Sequence, residues 1–344
     1  MAASSNPRVM KEFTKPAGTL VLSQGDVLAL LTPGDCLRAV EESFALHAEG
    51  RSLPPGVLGV HVPGGGFHIK AAGLLLERPY FVAKTNANLP ENAPRFGLPT
   101  IQGTLVLCDA EAGYPLAIMD SMALTALRTA AATAVAAKHL ARANARTAAI
   151  LGCGVQASAQ LAALLEARKF DRVLVHDLDH DRAQQFAARH ALKHGLRIEA
   201  VDDAASAARA SDVCVTCTTS RRPILGLGDA ARGAFIAAVG ADNPAKQEIA
   251  PALMAASKIV VDSLEQCLEI GDLHHAVAAG ALRREDVYAE IGEIVAGRKP
   301  GRVSDDETII FDSTGTAVQD VAAAAMAYRN ALAAGRGTLI DFAA

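Results

Sequence analysis

The sequence contains no tryptophan, and all aromatic residues together make up only 4% of it. It also has no excess of positive charge, because 33 Lys and Arg stand against 37 Asp and Glu, for a formal net charge of −4. Nucleic-acid binding draws on clustered basic residues, commonly with aromatic side chains for stacking. The composition therefore argues against a nucleic-acid partner.

Long hydrophobic runs are also absent. No stretch reaches the roughly 18 uncharged apolar residues that a membrane span needs, so no membrane partner is expected. The first residues, MAASSNPRVMKEFTK, lack the apolar segment of a secretory signal peptide. Six cysteines are scattered along the chain and are therefore expected to be reduced thiols of a cytoplasmic protein. Cys214 and Cys217 form a C-x-x-C, but on a predicted strand they would point to opposite faces, so no metal site is predicted.

The length of 344 residues allows about two domains. Hydrophobic residues make up 51% of the chain, which excludes wholesale disorder. The first 120 residues mix short apolar runs with Pro, Gly and Asn, and predict strands and turns after a helix near 33–50. Ser121 to Ala143 contains no Gly or Pro and predicts one long helix. From Arg146 onward, strand and helix patterns alternate, which predicts a parallel sheet covered by helices on both faces. A last Ala-rich helix, Thr316 to Ala334, is expected to pack beside the long helix that begins at Ser121.

A glycine-rich motif follows the first of these strands. The strand TAAIL is followed by Gly152, Cys153, Gly154, Val155, Gln156 and Ala157, which open a helix. In this context the spacing is typical of a dinucleotide-binding turn, in which backbone N–H groups and the helix dipole meet the phosphates. The next strand ends at Asp177, and a carboxylate there accepts hydrogen bonds from ribose hydroxyls and repels the 2′-phosphate of NADP. NAD is therefore predicted over NADP, although the nearby Arg182 could accommodate that phosphate.

Three cations interrupt apolar segments elsewhere. They are Lys70 in the strand FHIKAAG, Lys84 in FVAKTNANLP, and Arg128 in the long helix. His68 shares one face of its strand with Lys70. Such cations are rarely buried unpaired, so together they favour a pocket for an anion such as a substrate carboxylate. Asp242 follows the strand AFIAAVG, where a carboxylate could be a general base or an ordinary turn residue.

These segments together resemble the ornithine cyclodeaminase/mu-crystallin family of NAD(P)-binding proteins over nearly the whole chain. The matching motifs are Lys84 with the following Asn-Leu-Pro, GTLVLCDAEAGYPLAIMDSMALTALRTAAATAVAAKHLAR, ILGCGVQA, DVCVTCTTS, VGADNPAKQEI and IFDSTGTAVQD. The resemblance implies an α/β fold, with a Rossmann-type doubly wound parallel sheet and an α+β domain for substrate binding and homodimerisation. The predicted domains are 1–130 with 318–344 for substrate and dimer contacts, and 131–317 for NAD.

The resemblance also implies roles for single residues. Lys84 and Arg128 match substrate-binding cations of the family, with Lys84 at the reacting centre and Arg128 on the substrate carboxylate. Asp242 matches the catalytic acid of the cyclodeaminases. Asp177 matches the NAD-selective acid, Ser313 is expected near the nicotinamide, and Thr218 in DVCVTCTTS joins the cofactor residues.

This sequence departs from the family at two positions. Gly56 or Val57 stands where members commonly carry an Arg that helps to hold the substrate carboxylate. His68 stands near the position of a glutamate found in ornithine-specific members. With Lys70 beside it, His68 makes this part of the pocket more cationic, which favours an anionic or neutral substrate side chain over that of ornithine.

The family carries out two related reactions, and the core motifs do not separate them. The prediction is an NAD(H)-dependent reductase or dehydrogenase that interconverts a small α-amino acid and its α-imino acid, with catalytic Lys84 and Asp242 and substrate-binding Arg128, Lys70 and His68. The alternative is a cyclodeaminase that uses NAD+ catalytically to convert ornithine or a similar diamino acid to a cyclic product and ammonia. A third interpretation, a non-catalytic binding protein, is disfavoured by the presence of Asp242 together with the cations.

Overall fold

The computed structural model describes residues 16–342. The prediction about a leader sequence concerns residues 1–15 and lies outside the described residues. No helix in the described part is long and apolar enough to cross a membrane. All six cysteines lie within the described part, and each is a free thiol.

The strands and helices follow one another through this part of the chain. The strands are β1 (Thr19–Leu22), β2 (Ser52–Val62), β3 (Gly65–Leu75), β4 (Pro79–Asn88), β5 (Ile101–Asp109), β6 (Pro115–Asp120), β7 (Thr147–Leu151), β8 (Arg172–His176), β9 (Arg197–Ala200), β10 (Val213–Thr216), β11 (Arg221–Leu225), β12 (Phe235–Ala238), β13 (Gln247–Ile249), β14 (Lys258–Val261), β15 (Ala289–Glu290), β16 (Ile309–Asp312) and β17 (Thr338–Ile340). The helices are α1 (Gln24–Leu30), α2 (Pro33–Ala48), α3 (Asn92–Phe96), α4 (Ser121–Leu140), α5 (Val155–Ala167), α6 (His180–His194), α7 (Ala204–Arg209), α8 (Pro251–Ala255), α9 (Leu264–Ile270), α10 (Asp272–Ala278), α11 (Ile291–Val295) and α12 (Ala317–Ala334), with a 3-10 turn at Arg284–Asp286.

The first sheet has seven strands in the order β17-β1-β6-β5-β4-β3-β2. Its strands run antiparallel except for the parallel pair β1 and β6. In the register of β3 and β4, Lys70 lies directly opposite Lys84 and His68 opposite Asn86. Since directly opposed residues lie on the same face of a sheet, two of the predicted cations are neighbours on one face.

The second sheet has eight strands in the order β15-β14-β16-β12-β10-β7-β8-β9, and every pair in it is parallel. The strand order reverses between β7 and β10, because the chain continues from β7 to β8 on one side and later to β10 on the other. Ligands of open parallel sheets bind beyond the carboxyl ends of the strands at this point. The predicted α/β class with a doubly wound parallel sheet is confirmed.

Two long Ala-rich helices lie at the junction of the two sheets. Helix α4 begins where the Asp120 carboxylate accepts a hydrogen bond from the Ala123 N–H at 2.8 Å. It ends at Leu140, three residues before the predicted end, because Ala141 is extended. The Arg168 guanidinium donates hydrogen bonds to the carbonyls of Ala137 and Ala141 at this end of the helix. Helix α12 contacts both α2 and α4. The domain border near residue 130 falls inside α4 and stays a prediction.

Candidate active site

The turn after β7 has the geometry that the glycine motif requires. Gly152 has a φ of +97°, a left-handed conformation that side chains disfavour. A Cβ at this position would lie 3.0 Å from Cγ2 of Thr218 and 3.1 Å from the carbonyl oxygen of Cys217. The turn after β7 therefore packs directly against the segment after β10, at the reversal point of the sheet.

The N-terminus of α5 is free to receive an anion. Its first residue, Val155, is exposed, and the preceding Gly154 caps the helix with no side-chain hydrogen bond. The first N–H groups of a helix have no intrahelical acceptors. A Cβ on Gly154 would meet no atom within 4 Å, so the space beside this residue is open. A cavity of about 520 Å³ adjoins the turn, lined by Cys153, Gly154, Val155, Ser158, Arg182, Gln185, Phe186 and Arg189.

The last two residues of the motif, Gln156 and Ala157, hold α5 in place. The Gln156 side chain donates a hydrogen bond to the Ala126 carbonyl in α4 at 3.2 Å. Ala157 is fully buried, which allows the helix to lie against the sheet. Gln156 therefore serves here as a link between α5 and α4.

Asp177 lies beside the same turn. One of its carboxylate oxygens accepts a hydrogen bond from the Cys153 N–H at 2.8 Å, and the other accepts one from the Asp179 N–H at 3.0 Å. Arg182 approaches Asp177 to 3.6 Å and Asp179 to 3.5 Å. The backbone thus orients the Asp177 carboxylate, and the Arg182 charge is shared between two acids.

Thr218 and Ser313 lie near the carboxyl ends of β10 and β16, and a buried acid contacts each of them. The Thr218 backbone N–H and hydroxyl donate to Glu248 at 2.6 and 2.7 Å. The Ser313 hydroxyl donates to Asp262 at 3.0 Å. Burial raises the pKa of Glu248, despite hydrogen bonds to its carboxylate that act in the opposite direction.

Lys84 and Arg128 meet at one buried carboxylate, that of Asp320 in α12. The Lys84 ammonium lies 2.7 Å from Oδ2 of Asp320, and Nε of Arg128 lies 2.9 Å from Oδ1. Asp320 is fully buried, and the two cations are 3% and 4% exposed. Arg128 Nη1 also donates to the side-chain oxygen of Gln319 at 3.1 Å, while no protein acceptor in the described residues takes Nη2. Nη2 is therefore available to a ligand.

The charges in this group shift one another's pKa values. Burial lowers the pKa of Lys84 to about 7, although Asp320 acts to raise it. Burial would raise the pKa of Asp320, but Arg128 and then Lys84 outweigh burial and hold that pKa below its ordinary value. Near neutral pH, Lys84 can therefore gain or lose a proton, while Asp320 stays ionised.

Lys70 extends this group into a cation cluster, which we define as Lys70, Lys84 and Arg128. The Lys70 ammonium donates to the Gly315 carbonyl at 2.7 Å and, more weakly, to the Thr314 carbonyl at 3.4 Å. Burial and the Arg128 charge lower the pKa of Lys70, whereas Asp320, Asp262 and Asp242 act to raise it.

Among the described residues, neither His68 nor Asp242 forms a hydrogen bond or an ion pair with the cluster. His68 is exposed on β3. Asp242 is exposed in the loop after β12, where it pairs with Lys246 at 2.7 Å and accepts a hydrogen bond from the Asn243 side chain at 3.1 Å. Its effect on the pKa of Lys70 places Asp242 within electrostatic range of the cluster.

Two functional candidates, Asp320 and Asp262, did not emerge from the residue-by-residue sequence analysis. Asp320 lies in the motif IFDSTGTAVQD and interrupts an Ala-rich helix just as Arg128 does. Asp320 is therefore, like Arg128, a charge that is expected to have a buried partner. Asp262 follows a short apolar strand, as Asp177 and Asp242 do, but it lies in none of the motifs that carry the family resemblance.

The arrangement fits a dinucleotide beside a carboxylate-bearing substrate. Gly152 forms the left-handed turn, α5 has an open N-terminus, and Asp177 has an oriented carboxylate, as an NAD site requires. The cation cluster lies near the 313–315 turn, which follows a strand of the same sheet. Within residues 16–342, no cluster of three or more His, Cys, Asp or Glu side chains could hold a metal ion.

Known proteins resemble this chain over nearly its whole length. A sequence model of the ornithine cyclodeaminase/mu-crystallin family matches residues 17–335. Alanine dehydrogenase of Archaeoglobus fulgidus is 40% identical over 324 residues, which cover 94% of this chain and 98% of the relative.

Two solved structures have the same architecture. An archaeal alanine dehydrogenase dimer with bound NAD superposes with a TM-score of 0.90 at 40% identity, covering 94% of this chain and 99% of that chain. The Δ1-pyrroline-2-carboxylate reductase of Thermococcus litoralis, in complex with NADH and L-proline, superposes with a TM-score of 0.89 at 34% identity, covering 94% of this chain and 100% of that chain.

Proposed function

Because this chain belongs to the ornithine cyclodeaminase/mu-crystallin family, we propose that its cation cluster binds the carboxylate of a small α-amino or α-imino acid. The protein is an NAD-dependent enzyme that interconverts an amino acid and the corresponding imino acid, and its relatives include an alanine dehydrogenase and a Δ1-pyrroline-2-carboxylate reductase. When bound, NAD supplies the acceptor or donor of the hydride.

The observation that carries this proposal is the meeting of Lys84, Arg128 and Asp320. Two cations share one buried carboxylate, so the group retains a net positive charge while Lys84 is protonated. Arg128 keeps Nη2 for a ligand, and a guanidinium is well suited to a carboxylate. We assign the substrate carboxylate to Arg128.

Lys84 is proposed as the group that transfers the proton. A pKa of about 7 suits a group that must both donate and accept a proton near neutral pH. Reduction of a neutral imine adds one hydride to carbon and one proton to nitrogen, and protonated Lys84 would supply that proton from Nζ. In the oxidative direction, neutral Lys84 would accept it.

Asp242 is proposed to polarise the substrate nitrogen. In this structure Lys246 and Asn243 hold its carboxylate. The proposal requires the 240–246 loop to bring Asp242 onto the substrate. The same loop retains the sequence Gly-Ala-Asp-Asn-Pro-Ala-Lys, which favours cyclodeaminase chemistry as the second candidate.

The cofactor site is proposed to consist of Gly152, Gly154, Val155, Gln156, Ala157, Asp177, Thr218 and Ser313. The open N-terminus of α5 would meet the pyrophosphate. Asp177 would meet the ribose hydroxyls and favour NAD over NADP. Ser313 would lie near the nicotinamide.

The substrate side chain is proposed to be neutral or anionic. Gly56 and Val57 leave the family's arginine position without a cation, and Lys70 lies on the strand beside it, opposite Val57 in the register. Lys70 thus adds positive charge at that place. His68 continues the same face of β3, so no carboxylate there would hold a second ammonium group.

A homodimer through the edge of the first sheet is also proposed. Val57 and Leu58 are consecutive residues of β2, yet they are 60% and 56% exposed. Because consecutive strand residues face opposite sides, both faces of β2 lack cover. Exposed apolar surface of this kind favours a protein contact, and a second copy is supported by the dimer of the archaeal alanine dehydrogenase. We also propose the division into domains at residues 1–130 with 318–344 and at residues 131–317, and a cytoplasmic location.

The test is NADH consumption with a panel of substrates. NADH oxidation and amino-acid formation are measured with three substrates: pyruvate with ammonia, oxaloacetate with ammonia, and Δ1-pyrroline-2-carboxylate. At least one is expected to consume NADH in proportion to the amino acid formed. Conversion of ornithine to proline and ammonia with no net change in NADH would instead establish the cyclodeaminase candidate.

A further inference from the structure

A short turn joins the proposed cofactor site to the proposed substrate site. Ser313, Thr314 and Gly315 follow β16 and immediately precede the N-cap of α12. Ser313 and Thr314 are 3% and 5% exposed, so the turn is buried between the two sheets. We refer to residues 313–315 as the linking turn.

One carboxylate, that of Asp262 after β14, contacts every residue of the linking turn. Oδ2 of Asp262 accepts hydrogen bonds from the Gly315 N–H at 2.7 Å and from the Ser313 hydroxyl at 3.0 Å. Oδ1 accepts one from the Thr314 hydroxyl at 3.2 Å. Asp262 is itself 2% exposed, so these bonds form away from water, where they fix geometry most strongly.

The opposite side of the linking turn faces the cation cluster. Its Gly315 and Thr314 carbonyls accept the Lys70 ammonium at 2.7 and 3.4 Å. Gly315 has a φ of +78°, and a Cβ there would lie 2.4 Å from Nη1 of Arg128. The turn therefore has little freedom to move, and the position of the Lys70 ammonium depends on where its carbonyls point.

Asp262 also acts on Lys70 through its charge. Burial and Arg128 lower the pKa of Lys70, while Asp320, Asp262 and Asp242 raise it. Lys84 is the other cation within range, since Lys70 in turn lowers its pKa. Loss of the Asp262 charge would therefore lower the pH at which Lys70 loses its proton.

We propose that Asp262 is a positioning residue for the reaction, which holds the linking turn so that its carbonyls place the Lys70 ammonium in the substrate site. This inference rests on the proposed function, because it takes the cation cluster as the place of the substrate carboxylate. Asp262 itself touches neither of the two cations that pair with Asp320.

The test compares Asp262→Asn, Lys70→Met and the double variant, with Asp306→Asn as a matched control. Asp306 is an exposed acid that pairs with Arg232 at 2.7 Å. Two dissociation constants are measured by calorimetry, that of NADH and that of pyruvate on the NAD-loaded enzyme. The pyruvate constant is measured across the pH range, and kcat and KM are measured wherever a substrate turns over.

We expect Asp262→Asn and Lys70→Met each to weaken pyruvate binding about tenfold, which corresponds to about 1.4 kcal/mol. In the Lys70→Met background, Asp262→Asn should change pyruvate binding less than about threefold, because residues that act through one another are not additive. NADH binding should change less than about threefold in Asp262→Asn, and pyruvate binding should weaken at a lower pH than in the wild type.

Independent effects, multiplying to about a hundredfold in the double variant, would overturn the proposal, as would an equal loss of NADH and pyruvate binding. If Asp262→Asn fails to fold, Thr314→Val removes one donor to Asp262 with its shape preserved, and the same cycle with Lys70→Met applies. Pyruvate binding without turnover of any imine would refute the proposed function and leave this inference testable by the same cycle.

Discussion

The ion pairs of Asp320 allow one prediction to be worked out in detail. Asp320→Asn keeps the shape of the side chain and removes the charge that Lys84 and Arg128 share. Removing one partner of a buried pair costs about 3–5 kcal/mol, because the remaining charge is left buried and uncompensated. Arg128 cannot lose its proton, so it carries this cost at every accessible pH.

Lys84 can avoid part of the cost. Its pKa is already about 7, and Asp320 is the charge that acts to raise it. In Asp320→Asn, Lys84 should therefore lose its proton at lower pH. The destabilisation should be greatest near pH 6, where the wild-type lysine is charged, and smaller near pH 8.5, where it is neutral in both proteins.

Urea unfolding at these two pH values measures the effect, with Asp306→Asn as the matched control. The control removes the same charge from a pair with the same 2.7 Å separation, but with side chains 78% and 64% exposed. Such a pair contributes about 0–1 kcal/mol. In the reductive direction, the decline of kcat/KM with rising pH should also begin at lower pH in Asp320→Asn. An unfolding free energy equal to that of Asp306→Asn, with an unchanged pH profile, would refute the reasoning.

Three further predictions concern the second sheet. Gly152→Ala should lower both stability and NADH affinity, because the φ of +97° and the close neighbours of Gly152 exclude a Cβ. Gly154→Ala should weaken NADH binding alone. Thermal unfolding and calorimetry distinguish the two variants, and equal behaviour of both would contradict the assignment. Asp177→Asn should raise the ratio of NADP to NAD affinity, since it removes the charge that repels the 2′-phosphate, and an unchanged ratio would remove Asp177 from cofactor selection. Burial raises the pKa of Asp272 to about 7, with a further contribution from the Glu248 charge; burial and then the Asp272 charge raise the pKa of Asp312. The folded state therefore holds protons that the unfolded state has released, so the unfolding free energy should fall as pH rises from about 4 to 7. In Asp312→Asn this fall with pH should be shallower. Urea titrations that give the same slope for both proteins would show that the pair does not titrate as described.

Local signals in the sequence predicted the doubly wound sheet and the turn at Gly152. Strand, glycine spacing and helix are all set by residues close together in the chain, and a left-handed glycine leaves a recognisable motif. The cations Lys84 and Arg128 were also predictable as partners of some anion, because charged groups within apolar segments are rarely buried alone.

The identity of that anion was not predictable in the same way. Asp320 is 192 residues from Arg128, and the contact exists only because α12 returns to pack against α4. Asp262 follows a strand, as Asp242 does, but its hydrogen bonds to the linking turn depend on β14 lying beside β16 in the sheet, which the local sequence does not indicate. Asp242, predicted as a catalytic acid, lies in an exposed loop beside Lys246, and its catalytic role stays a proposal.

The most direct test of the proposed reaction is to follow the hydride itself. NADH carrying deuterium in the transferred position is supplied with the enzyme and the imine that it reduces, and the amino acid formed is analysed by mass spectrometry. One deuterium on Cα for each NADH consumed is the predicted result. An amino acid that carries no deuterium on Cα, or NADH left unconsumed with every imine of the panel, would contradict the account.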